Sequence, residues 1–372
     1  MPFQTLRNFH CHAPLLEDLE IGIYSPHTGM HDIPLLNGDL PSLRRLSLVA
    51  DTVRLPQKNT SNLRILNLSC ARGVTVNQIL DFLESSPLLH TIELEHSIPN
   101  SSGAPPERII TLGHLKTLKI TAHTVHRIVE HLRIPVGASV GVWARFTGEA
   151  FPLLEYLRGT SPNIKNLSHI SAVNLRSTSS TKHAKLSGPS GSLCLSGHWE
   201  NPATPSTTMD YRILRALGSR ILSTTERLTV SYYAHRNLAN VEECLVFQTL
   251  RSMNNLQSLV LSQCDNQPFI FALNPEKNSS EAVLCPNLKK LILFRGSWGP
   301  ANDLVDMAKG RASRGVKLSS VTIVSLGSTG TPVRETETLE LREHVTQVRC
   351  MVETVMFPFW EYLPDETGNM WG

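Results

Sequence analysis

Aromatic side chains are scarce in this sequence. Phe, Tyr and Trp together make up 6% of the 372 residues, so branched aliphatic side chains must fill most of any core. The seven cysteines are scattered and odd in number, without paired spacing, which excludes a disulfide framework. A reducing compartment, cytosol or nucleus, is the expected location. No apolar run approaches the roughly 20 residues that span a bilayer. The first residues lack the apolar stretch of a secretion signal before Glu17, Asp18 and Glu20 arrive, so no membrane partner is expected. The sequons at Asn59 and Asn278 are accordingly expected to stay unmodified. A net charge of +3, spread along the chain, argues against a nucleic-acid partner. Phosphate-binding G-x-x-x-x-G-K-[ST] and the zinc pattern H-E-x-x-H are both missing.

What the chain does have is periodicity. In "LPSLRRLSLVA" the residues Leu43, Leu46 and Leu48 follow L-x-x-L-x-L. The strand alternation points Leu46 and Leu48 one way and Arg45, Ser47 and Val49 the other. The same frame recurs at Leu16/Leu19/Ile21, Leu63/Leu66/Leu68, Leu89/Ile92/Leu94 and Leu115/Leu118/Ile120. It continues at Val140/Val142, Ile170/Val173/Leu175, Leu193/Leu195 and Leu228/Val230. The last copies are Leu256/Leu259/Leu261, Leu288/Leu291/Leu293 and Leu318/Val321/Ile323. The mean spacing of roughly 27 residues lies within the range of leucine-rich repeats.

Between strands the apolar period becomes helical. Thr75 with Gln78 forms a capping box ahead of Ile79, Phe82 and Leu83. Similar faces are Val125/Ile128/Val129/Leu132, Ile213/Leu214/Leu217/Ile221, Leu245/Val246/Leu250/Met253 and Leu304/Val305/Met307/Ala308, the last closed by Gly315. The expected fold is α/β: a leucine-rich-repeat solenoid over residues 1–352, with a parallel sheet on the concave face and helices on the convex face. Residues 353–372 form a tail or cap. Two polar stretches, Ser97–Pro106 and Ser177–Gly191, are expected to be loops.

Candidate chemistry is sparse. Gly137–Gly141 fits G-x-S-x-G around Ser139, but a hydrolase elbow needs a strand before the serine and a helix after it, and here that order is reversed. His123, His126 and His131 are read as helix positions, and His10, Cys11 and His12 supply too few ligands for structural zinc. Cys264 falls at the Asn/Cys position of the repeat. No catalytic residue, metal or cofactor is assigned. The expected binding surface is the concave face, displaying Asp18, Glu20, Arg45, Asn67, Glu93, Glu95, Lys119, Trp143, Arg176 and Arg227, with Lys290 further on. Trp and Arg are the residue types that most often anchor interfaces.

The stretches "FHCHAPLLEDLEI" (Phe9–Ile21), "LPSLRRLSLVA", "ILDFLESSPLLHTIEL" (Ile79–Leu94), "LRIPVGASV" (Leu132–Val140), "NSSEAVLCPNLKKLIL" (Asn278–Leu293) and "MAKGRASRGVKL" (Met307–Leu318) carry a resemblance. Through about Val348 the chain resembles the leucine-rich-repeat region of the F-box family of mushroom-forming fungi. That resemblance implies the substrate-recognition part of a ubiquitin ligase receptor, in which an N-terminal F-box holds the ligase adaptor. The repeat begins almost at Met1, so an adaptor is an expected partner only if an F-box exists upstream. A protein target on the concave face is the expected partner in either case. The alternatives are a free-standing repeat scaffold or inhibitor and, in another class, a hydrolase using Ser139.

Overall fold

The structure, a computed structural model, describes residues 13–22, 40–49, 55, 60–69, 74–95, 108–121, 128–146, 169–177, 181–189, 191–199, 217–218, 221–232, 243–262, 266–277, 282–294, 301–326 and 335–353. The fold is α/β, with mainly parallel strands, and the chain divides into two compact units, Met1–Thr225 and Glu226–Gly372.

In the first unit the strands are β1 (Asp18–Gly22), β2 (Arg45–Val49), β3 (Ile65–Ser69), β4 (Thr91–Glu95), β5 (Ile110–Thr111), β6 (Thr117–Thr121), β7 (Leu132–Arg133) and β8 (Ser139–Phe146). Three more follow: β9 (Ala172–Ser177), β10 (Thr181–Gly188) and β11 (Gly191–Trp199). β5 and β7 pair with each other. The others run side by side in the order β1-β2-β3-β4-β6-β8-β11-β10-β9. From β1 to β8 all pairs are parallel and in register: Leu19, Leu46, Leu66, Ile92, Leu118 and Val140 make one inward row, and Ile21, Leu48, Leu68, Leu94, Ile120 and Val142 the next. From Leu46 to Leu118 the first row is completely buried. Each such side chain contributes about 1.5–3 kcal/mol by leaving water.

The turn before each strand explains why the register repeats. Its fourth residue donates its backbone N–H to the carbonyl of the first: Leu43 to Leu40, Leu63 to Thr60, Leu89 to Ser86, Leu115 to Leu112, at 3.0–3.3 Å. One carbonyl then takes two N–H donors from the following turn, as Arg44 O does from Arg64 and Ile65 (2.8 and 3.0 Å) and Arg64 O does from His90 and Thr91 (2.8 and 3.0 Å). Buried polar turn residues satisfy one another: the Ser86 hydroxyl donates to Thr60 Oγ1 at 2.8 Å. Between β3 and β4 lies α1 (Val76–Glu84), with the Thr75–Gln78 capping box in place. Its apolar face, Ile79, Leu80, Phe82 and Leu83, is buried. Arg108 braces its other side through Asp81 (2.6 Å) and Glu84 (2.8 Å).

Three expectations need correction here. Thr181–Gly188, expected to lie in a loop, is a strand antiparallel to both β9 and β11. Its Ala184 and Leu186 alternate inward and are buried, while His183, Lys185 and Ser187 point outward. Consequently β11, not β9, lies beside β8, and the sheet is not wholly parallel. The hairpin depends on Gly188, where an added Cβ would sit 1.9 Å from the His169 carbonyl oxygen. Finally, Leu132 belongs to β7 rather than to a helix, although Ile128, Val129 and Leu132 are all buried as the helical reading required.

The second unit alternates strand and helix: β12 (Arg227–Tyr232), α2 (Glu243–Arg251), β13 (Ser258–Ser262), α3 (Gln267–Leu273), β14 (Lys290–Phe294), α4 (Ala301–Ser313), β15 (Ser320–Leu326), α5 (Glu335–His344) and β16 (Gln347–Glu353). Every strand pairs in parallel with the next. α4 ends as expected at Gly315, whose φ of 78° lies in the left-handed region. The N–H of Val316 bonds Arg311 O and that of Gly315 bonds Ala312 O, each at 3.0 Å, which is the paired closure of a Schellman motif. α3, α5 and β16 were not expected. The helical pattern at Ile213–Leu214, Cys264, His10–His12, His123, His126 and the tail beyond Glu353 lie outside the described residues.

Candidate functional site

The ladder's outward side chains form rows as regular as the buried ones. One row reads Asp18, Arg45, Ile65, Thr91, Thr117, Ser139. The next reads Glu20, Ser47, Asn67, Glu93, Lys119, Gly141, then Cys194, Lys185 and Asn174. A third reads Gly22, Val49, Ser69, Glu95, Thr121, Trp143, then Ser196, His183 and Arg176. Adjacent members stand about 4.8 Å apart.

Every expected face residue of the first unit lies on this outward side. Asp18, Glu20, Arg45 and Glu95 are exposed, and Asn67, Glu93, Lys119, Trp143 and Arg176 are half-buried. Two of them are tied to each other, since Lys119 Nζ sits 2.8 Å from Glu93 Oε1. Arg227 and Lys290 are exposed in the second unit, where they share the row Arg227, Ser258, Lys290, Ser320, Gln347. Further outward positions there are Thr229, Ser262, Thr322 and the exposed Arg349, beside an apolar patch. Val260, Phe294 and Val324, exposed by only 7%, 4% and 4%, pack with Ile292 into a cluster within the chain's own fold.

Reading the sequence alone missed the side chains that β10 and β11 bring to this face. His183 Nδ1 lies 2.7 Å from the Ser196 hydroxyl, and Cys194 Sγ lies 3.8 Å from the same oxygen. Burial, aided by the Arg176 guanidinium, holds the His183 imidazole below its ordinary pKa. Burial pushes the Cys194 thiol up, against a hydrogen bond from Ser196 and the nearby Lys185. Cys194 is therefore a thiol at neutral pH, not a nucleophilic thiolate. The alternating K-H-A-K-L-S pattern and the Gly-Pro-Ser-Gly turn were the available signals for this hairpin.

Ser139 opens β8, so a strand follows it, and its hydroxyl lies 2.9 Å from that of Ser192. A nucleophile elbow has a helix in that place. His131 is buried, and its Nδ1 lies 2.9 Å from the Arg108 carbonyl oxygen. Among the described residues no group of three or more His, Cys, Asp or Glu side chains could hold a metal ion. Also among them, no helix is long and apolar enough to cross a membrane.

Among the described residues the arrangement is a surface of registered rows. Compared with known proteins, the chain matches no family model, no curated protein and no solved structure.

Proposed function

We propose that this chain is a protein-binding module of the leucine-rich-repeat kind. It does no bond chemistry and holds a protein target along the outward face of its parallel ladder. The observation that carries this reading is the in-register display of alternate side chains from β1 to β8 over an unbroken apolar spine. A surface of that kind presents a fixed two-dimensional pattern to an extended partner, as repeat proteins do. The resemblance to the fungal F-box family supports the finer reading, that the target is presented for ubiquitination as part of a ligase receptor.

Site-specific photo-crosslinking tests the binding reading. A photoreactive residue is placed at Asn67 or Trp143 on the outward face, or at Gln78 on the exposed side of α1, and irradiated in extract. A discrete protein adduct at the first two positions and none at Gln78 is the expected result. Adducts at Gln78 alone, or at no position, overturn it. The ligase reading is tested separately by asking whether the gene's full-length product co-purifies with a cullin adaptor; absence of the adaptor removes that reading and leaves the binding one.

A further inference from the structure

The outward face of the first unit changes sign along its length. Among the described residues its carboxylates, Asp18, Glu20, Glu93 and Glu95, all stand on β1 to β4, where Arg45 is the one outward cation. On the far side, the outward residues of β8 to β11 whose side chains are described are Ser139, Gly141, Trp143, Ser192, Cys194, Ser196, Ser187, Lys185, His183, Ala172, Asn174 and Arg176, and none of these is acidic. Arg176 and Lys185 stand on neighbouring strands, one row apart. Lys119, the one outward cation of β6, has Glu93 as its ion partner. Gly141 contributes no side chain to the middle row between Lys119 and Cys194, and Trp143 is the next outward residue on the same strand.

We infer that the basic end of this face, from Trp143 through His183 and Lys185 to Arg176, receives an extended acidic segment of the protein partner. The inference rests on the protein-binding reading above and names the partner's chemistry. Charge complementarity carries it: a guanidinium fork matches a carboxylate with two parallel hydrogen bonds, and the Lys185 ammonium supplies a second cation beside it. The half-buried Trp143 gives the segment an apolar contact beside Gly141. Three strand steps separate Trp143 from Arg176, about 14 Å at 4.8 Å each, which roughly four residues of extended chain cover. The opposite end, rich in carboxylates, repels the same segment and so sets its direction.

The test uses the full chain and three fluorescent twelve-residue peptides, of alternating Glu/Ser, Lys/Ser and Gln/Ser. Binding is read by anisotropy at two salt concentrations. The Glu/Ser peptide is expected to bind in preference to the others and to weaken as salt rises. Its Kd should rise at least about tenfold in the Arg176→Gln/Lys185→Gln double variant, the loss of one charge-assisted contact. It should stay unchanged in Lys116→Gln, an exposed cation in the turn before β6 and outside the outward rows. Lys185→Glu alone, at an exposed position, gives the same readout without disturbing Arg176. The inference is overturned if the acidic peptide does not bind, if it binds both basic-end variants as well as the parent, or if the Lys/Ser peptide binds equally. Crosslinking at Asn67 and Trp143 with no acidic-peptide binding would remove this inference alone; no outward crosslinking at all removes the reading beneath it.

Discussion

His183 and Ser196 are partners across the antiparallel pair β10–β11, with the imidazole Nδ1 2.7 Å from the hydroxyl oxygen. Among the described residues, the charged and titratable groups around that ring are Arg176 on β9, Lys185 on its own strand and Cys194 on β11. Burial first, and Arg176 second, lower the imidazole pKa from its ordinary 6.5. As pH falls through 6.5 the unfolded chain therefore takes up the proton before the folded one does. Stability is at its full value above 6.5 and declines below it. Urea unfolding at pH 7.5 and pH 5.5 should show a lower midpoint in acid, and His183→Asn should reduce that difference. An unaltered difference in the variant would place the acid sensitivity elsewhere.

Leu46 is completely buried between Leu19 and Leu66, and Arg45 beside it is exposed. Leu46→Asp should destabilise the fold by several kcal/mol, about 3–5, because a charge would lie among aliphatic neighbours. Arg45→Asp should change stability by less than about 0.5 kcal/mol. Thermal unfolding of both variants checks the inward and outward assignment together.

Arg311 on α4 is completely buried, and its guanidinium donates to the carbonyls of Leu284 and Cys285, each at 2.9 Å. It pins the turn before β14 at the point where Cys285 takes a φ of 47°, in the left-handed region that side chains seldom occupy. Arg311→Ala leaves two buried carbonyls without these donors and opens a cavity. A loss of about 3–5 kcal/mol in denaturant unfolding is expected.

Burial pushes the Cys285 thiol up to about 12, whereas Cys350 is exposed. Alkylation of the native protein at pH 8, followed by peptide mapping, should modify Cys350 first. Cys285 should react only on the timescale of unfolding. Equal labelling of the two would contradict the packing of the turn beneath β14.

The frame of the fold was legible because it is written in chemistry that repeats. Leu43, Leu46 and Leu48 recur as Leu63, Leu66 and Leu68, and parallel strands buried by a shared spine need that spacing. Thr75 with Gln78, and Gly315 beyond α4, were readable as well, since capping uses a short range of residue types. The stretch from Thr181 to Gly188 was not. With Ala184 and Leu186 as its inward residues amid Lys, His and Ser, its composition imitates a surface loop, and only pairing on both edges makes it a strand. Its outward residues His183 and Lys185 went unseen with it. The outward positions of β1 to β8 follow from alternation alone, but which strand lies beside Trp143 depends on topology. The chain folds back twice before β11 pairs with β8, so Ser196, distant in sequence, stands beside Trp143.

The β9–β10–β11 meander has a consequence for variation. The chain doubles back on itself and still finishes pointing the way β8 does, with the aliphatic seam uninterrupted. Such a detour can exchange its solvent-side residues, as long as Gly188 and the Ala184–Leu186 underside persist, without asking the neighbouring coils to change. Substitutions there change the solvent-side surface while leaving the buried skeleton as it is.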